Sequence, residues 1–88
     1  MPAKIFKLRL SIRKLLNQTL IIKCLKILKF GIQDGELNVW FLYDPERECV
    51  YRFRLFSTGV EVPDDLIHEE TIITPCSEVY HVFRIPNS

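Results

Sequence analysis

No aspartate or glutamate occurs before Asp34. The first thirty residues instead carry eight basic side chains: Lys4, Lys7, Arg9, Arg13, Lys14, Lys23, Lys26 and Lys29. Residues 31–88 carry eleven acids against four arginines, so the two parts hold formal charges of +8 and −7 behind a total of +1. Other absences bound the chemistry. The chain has three cysteines and no C-x-x-C. An odd, scattered set argues against a disulfide framework or a zinc knuckle, and predicts buried free thiols in a reducing cytosol. No apolar run approaches the about 18–20 residues of a membrane span, and no signal peptide is recognisable. No P-loop, G-x-G-x-x-G or G-x-S-x-G is present, and no repeat or low-complexity segment.

What is present describes one small domain. Eighty-eight residues, 48% apolar and 26% charged, suit a single globular unit with a thin core. Six Phe, three Tyr and one Trp supply large buried area for so short a chain. Self-association is a second route to buried surface.

The patterning is that of strands. Lys4–Leu10 alternates, with Phe6, Leu8 and Leu10 on one face and Lys7 and Arg9 on the other. Leu25–Ile32 alternates, and Val39–Tyr43 reads as a strand buried on both faces. Cys49–Phe56 places Tyr51, Phe53 and Leu55 opposite Arg52 and Arg54. Thr71–Thr74 is short and β-branched, and Glu78–Ile85 carries Val79, His81, Phe83 and Ile85 on one face. Turn signals separate these runs: Asp34-Gly35, Asp44-Pro45, Thr58-Gly59 and Pro63-Asp64-Asp65. Such spacing predicts an all-β fold, a small antiparallel sandwich or barrel-like sheet. One segment is open to two readings. Ile12–Lys23 has apolar residues at helical spacing, which fits a short helix; equally, Asn17-Gln18 is a turn before a strand Thr19–Lys23.

An ordered set of motifs covers nearly the whole chain: Lys4-Ile5-Phe6-Lys7, Gln33-Asp34-Gly35, Trp40-Phe41-Leu42-Tyr43-Asp44-Pro45, Tyr51-Arg52-Phe53-Arg54, Ser57-Thr58-Gly59 and Val79-Tyr80-His81-Val82-Phe83. In order and spacing this resembles a family of small all-β domains from phage genomes and prophages. The resemblance implies an all-β fold and a phage or prophage origin, and no activity. It also favours a turn and short extended piece over a helix in the second segment. This chain departs from the pattern in two places. Ile12–Lys29 is purely basic where the family is mixed or acidic, and Ser57 stands where a glycine is frequent. The basic third is therefore expected to carry a surface particular to this protein.

Each candidate site also has a plainer role. His81, on a strand, reads as a structural histidine bonded to backbone or carboxylate. His68-Glu69-Glu70 lacks the second histidine of a zinc helix, and Asp64-Asp65 with Glu69-Glu70 reads as a solvated acidic loop. No cofactor or metal is expected, and catalysis has no positive support. Arg52 and Arg54 share a strand face and suit phosphate or carboxylate, with cross-strand pairing to Glu36 or another acid as the plainer role. Trp40 reads as a core anchor or a stacking platform, and Tyr80 as a second stacking candidate.

The expected binding residues are Lys7, Arg9, Arg13, Lys14, Lys23, Lys26, Lys29, Arg52 and Arg54. Their density of apolar neighbours favours a protein interface, because nucleic-acid faces are more polar. The leading expectation is a non-catalytic phage-type protein. It would dock stoichiometrically on a host protein, such as a defence enzyme, in the cytoplasm of an infected or lysogenic bacterium. Second comes an oligomeric sponge for an anionic nucleotide, with Lys23, Lys26, Arg52 and Arg54 on the phosphates. Third comes a weak nucleic-acid binder.

Overall fold

Alternating apolar residues make strands, and two sets of strands bury their apolar faces against each other. In a computed structural model, which describes residues 2–87, the element order is β1 (Lys4–Leu10), α1 (Ile12–Leu15), β2 (Leu20–Cys24), β3 (Lys26–Gln33), β4 (Glu36–Tyr43), β5 (Cys49–Ser57), β6 (Ile67–Ile73) and β7 (Val79–Ile85). The strands form two antiparallel sheets, β1-β4-β3 and β2-β5-β7-β6. The molecule is a flat, all-β sandwich-like domain with extents of 43 × 34 × 17 Å. The thin dimension fits two layers about 10 Å apart with their outward side chains.

The inner rows are Leu37 and Val39 of β4, Phe30 of β3, Ile22 and Cys24 of β2, Phe53 and Leu55 of β5, Ile72 of β6 and Val82 of β7, all buried. Phe30 and Phe53 meet edge to face across the sheets, with centroids 4.9 Å apart. Each such side chain removed from water contributes about 1.5–3 kcal/mol.

The ambiguous segment divides. Ser11 caps a single turn of helix, its hydroxyl accepting from Lys14 N–H at 3.3 Å. The helix ends at Leu15, and its chain turns through Asn17-Gln18, where both backbone N–H groups donate to Lys14 O. Strand β2 then pairs with β5, from Leu20 opposite Phe53 to Cys24 opposite Cys49. Helical spacing beyond residue 15 is overridden because Leu20, Ile22 and Cys24 bury along one strand face. Only one residue, Leu25, separates β2 from β3, so one run of chain passes directly from one sheet to the other.

Thr71–Thr74 is the end of a longer strand, and Glu69-Glu70 lies inside it, not in a loop. Glu69 accepts from Arg84 Nε at 2.6 Å and Glu70 from Lys29 Nζ at 3.3 Å, so ion pairs hold these acids on a strand edge. Val39–Tyr43 is not buried on both faces: only Val39 is fully enclosed, and Trp40–Tyr43 are half-buried. Of the three free thiols, Cys24 is buried, which pushes its pKa up, while Cys49 and Cys76 are exposed.

The turns follow their sequence signals. Asp34 and Gly35 both have positive φ, 54° and 78°, as a two-residue hairpin between β3 and β4 requires. Asp44 closes the next turn from inside. Its side chain is 2% exposed, and it accepts from Glu46 N–H at 2.9 Å and Arg47 Nε at 2.7 Å. The backbone hydrogen bond first, and then the guanidinium, hold its pKa below the ordinary aspartate value. A carboxylate with a lowered folded pKa stabilises the fold fully above its unfolded value, about pH 4, and loses that contribution as pH falls through the folded value. Asp44→Asn is therefore expected to melt lower than the parent at pH 7, with the gap narrowing below about pH 4. Thermal unfolding followed by circular dichroism at both pH values checks this; a constant gap would mean that charge on Asp44 contributes nothing.

Candidate functional site

The basic third does not form one face. Strand register decides where each side chain goes, because directly opposed residues share a face. Val39 is in the core, so its neighbours Asn38 and Trp40 point outward from the β1-β4-β3 sheet. Lys7 and Lys29 lie opposite Trp40 on either side, Arg9 and Gly31 lie opposite Asn38, and Lys26 lies opposite Leu42. Lys7, Arg9, Lys26 and Lys29 thus share the outer face of this sheet around Trp40. Arg13 and Lys14 sit on the helix at one end. Lys23 lies opposite Val50, on the outer face of the second sheet with Arg52 and Arg54.

Trp40 is accordingly not a core anchor. It sits on the solvent side, half-buried, where a Cβ at Gly31 would lie 3.5 Å from its ring and 3.5 Å from Lys29 Cε. Beside it, Lys7 Nζ donates to Gln33 Oε1 at 2.8 Å, and Arg9 pairs with Glu36 at 3.2 Å. These residues surround a shallow hollow of about 420 Å³ over Asn38. Tyr80 lies elsewhere: it packs against the core, and its hydroxyl donates to Glu78 at 2.9 Å.

Among the described residues, the two strand arginines have structural partners and no acid. Arg52 donates to Asn87 Oδ1 at 2.9 Å. Arg54 stands over the Phe56 ring with its NH2 group 3.4 Å from Leu16 O, closing the turn before β2. Glu36, their expected partner, is taken by Arg9. Lys26 lies on the opposite side of the sandwich from Lys23, Arg52 and Arg54, so the four do not converge on one phosphate.

The histidines form a hydrogen-bonded line on the outer face of the second sheet. Thr58 Oγ1 meets His81 Nε2 at 3.0 Å, His81 Nδ1 meets Thr71 Oγ1 at 3.1 Å, and Thr71 Oγ1 meets His68 Nε2 at 2.9 Å. The partners of His81 are hydroxyls and not backbone or carboxylate. Neither ring has a carboxylate to orient it, so the constellation of a nucleophilic site is not assembled among the described residues.

The feature with the clearest functional content lies on β1, and charge alone did not reveal it. In the inner row that runs across the first sheet, Phe30 is 2% exposed, Val39 0% and Leu8 43%. The second sheet covers β3 and β4 and stops short of β1. Phe6, one row on, is 45% exposed although it touches Phe41 and Tyr43. Ile5, on the outer face, is 66% exposed. Beneath this overhang runs a cleft of about 690 Å³ between Leu8 and Leu10 of β1, Ile12 and Leu15 of the helix, and Leu20 of β2. Arg9 and Lys14 stand at its rim.

Among known protein families, residues 1–88 match one described as a domain of unknown function (DUF7352). The chain belongs to that family. No curated protein and no solved structure matches it. The DUF7352 description assigns no activity, so the overhang and the Trp40 face carry the functional reading of this member. No helix among the described residues is long and apolar enough to cross a membrane.

The Trp40 geometry has a direct optical consequence, because the chain holds one tryptophan. Lys29 is neutralised by Glu70, but Lys7 beside the ring is bonded only to the neutral Gln33, so iodide is expected to quench native emission more efficiently than caesium, the selectivity vanishing in denaturant. Equal quenching by the two ions would place the lysine charges away from the indole.

Proposed function

We propose that this protein is a non-catalytic binding module that docks stoichiometrically on an acidic partner protein through β1. One observation carries the reading: an inner-face row of the first sheet goes from fully buried at Val39 to 43% exposed at Leu8. A small domain gains nothing by leaving Phe6 and Leu8 in water, and contiguous exposed apolar surface marks interaction sites. Arg9 and Lys14 stand at the cleft, and Lys4 and Lys7 flank Phe6 along β1, so the surroundings are basic. An apolar centre with a polar rim is the anatomy of a protein interface. The resemblance to phage and prophage domains supports a host protein as the partner, a defence enzyme being the target class, met in the bacterial cytoplasm.

The test compares the parent with a Phe6→Ser, Leu8→Ser double variant in recovery of partners from a bacterial lysate. The side chains are 45% and 43% exposed, so the variant is expected to keep its circular dichroism spectrum, with a modest fall in melting temperature from the lost Phe41 and Tyr43 contacts. The parent should retain one stoichiometric acidic protein, and the variant should bind it at least about tenfold more weakly. Equal retention by both proteins, or no retained protein, sinks the proposal.

A second reading rests on Trp40 between Lys7 and Lys29. Charge beside an aromatic face suits an anionic nucleotide, or single-stranded nucleic acid by the same chemistry. It would occupy the outer face of the first sheet and not the Arg52–Arg54 face. Titration with nucleotide or oligonucleotide, read by Trp40 emission, is expected to saturate, with affinity falling steeply with salt for the nucleic acid. An unresponsive indole removes this reading.

A further inference from the structure

We propose that β1 binds its partner by strand addition, taking up an extended acidic segment as a fourth strand of the first sheet. This rests on the protein-docking reading above and specifies its mode. Among the described residues, strand β1 is an edge, hydrogen-bonded to β4 alone, so its other side presents a row of unpaired backbone N–H and C=O groups. It stays extended over seven residues, about 23 Å of template. The exposed side chains alternate with the pleat: Phe6 and Leu8 on the inner face, where Leu8 lines the cleft, and Ile5, Lys7 and Arg9 on the outer face, with Arg9 at the cleft rim. A strand laid alongside would place every second residue against Phe6 and Leu8, over the cleft. The residues between would stand beside Lys7, whose ammonium is bonded to the neutral Gln33 side chain, and Arg9, which already pairs with Glu36, so Lys7 carries the uncompensated charge. The complementary segment is therefore apolar at alternate positions and acidic at the others.

Charge argues against a second copy of this chain as the occupant. The open edges of the two sheets are β1, β3, β2 and β6. Strands β1, β2 and β3 contain lysine or arginine and no acid. Pairing β1 with any of them sets like charges across the ladder, which destabilises it. The acids of β6 are engaged, Glu69 with Arg84 and Glu70 with Lys29, and a register shift between His68 and Glu70 breaks that edge. None of the four edges offers β1 an acidic strand with free charges.

The test uses the unmodified protein and three synthetic probes. The first is an acetylated, amidated eight-residue peptide of alternating glutamate and valine. The second is the same peptide N-methylated at alternate residues, which removes ladder donors and keeps the charge. The third replaces glutamate by lysine. Binding is measured by titration, and amide hydrogen exchange is followed by NMR. The glutamate–valine peptide is expected to slow exchange of the outward β1 amides at least about tenfold, and both control peptides to bind at least about tenfold more weakly. Equal binding of the N-methylated peptide overturns strand addition while leaving acidic docking intact. Equal binding of the lysine peptide overturns the acidic specificity. Protection of β1 by oligomerisation of the protein alone would assign the edge to a second copy and overturn the proposal. Docking itself is judged separately by the Phe6, Leu8 comparison in lysate.

Discussion

The fold depends on a corner. At Leu25 the chain leaves one sheet and enters the other with no loop between, and its two backbone groups are claimed from opposite sides. Leu25 N–H donates to Leu42 O of β4, in the first sheet, at 2.9 Å. Leu25 O accepts from the Tyr51 hydroxyl of β5, in the second, at 3.1 Å. A strand that changes sheets satisfies its own polar groups at the bend and sets the angle at which the two layers meet. Cys24 buries on one side of the corner, and Phe30 faces Phe53 beyond it. Because β3 is thereby tied close to the second sheet, β4 has only its far side left for β1, where the covering layer does not extend.

Much of this was legible in the sequence, and the reasons are local. Strands β1, β4, β5 and β7 alternate or form short apolar runs, and Asp34-Gly35 marks its hairpin without ambiguity. The all-β architecture follows from that spacing. Strand β6 was half-hidden, because His68-Glu69-Glu70 looks solvated until Arg84 and Lys29 are placed beside the two acids. The helix ended early for a reason no window of residues 12–23 contains: β5 is available as a partner for β2.

The site was less legible because it depends on strand order. Five consecutive apolar residues at Val39–Tyr43 conceal which of them point inward, so Trp40 could be placed only once Val39 was known to face the core. Charge counting found the basic third and missed its division among three surfaces. The alternation of Phe6 and Leu8 predicts a buried face, as it does for any strand. That this face is left uncovered follows from the position of β1 beyond β4, which chain order does not reveal. Lys4, Lys7 and Arg9 of β1 are thereby interleaved with exposed apolar residues.

The same separation in sequence bears on how the chain is made. Strand β1 waits for β4, and β2 for β5, each about 30 residues later. At a synthesis rate of about 5–20 residues per second, these apolar strands spend on the order of seconds without a partner. All-β folds with such distant pairings also fold slowly, in about milliseconds to seconds. A nascent segment as apolar as Leu15–Leu28 would aggregate in that interval if it were neutral. Lys23 and Lys26 punctuate it and Lys14 and Lys29 flank it, all with one sign of charge, so nascent chains repel one another until β4 and β5 arrive. One sign of charge along the first third thus opposes association of nascent chains before the partner strands exist.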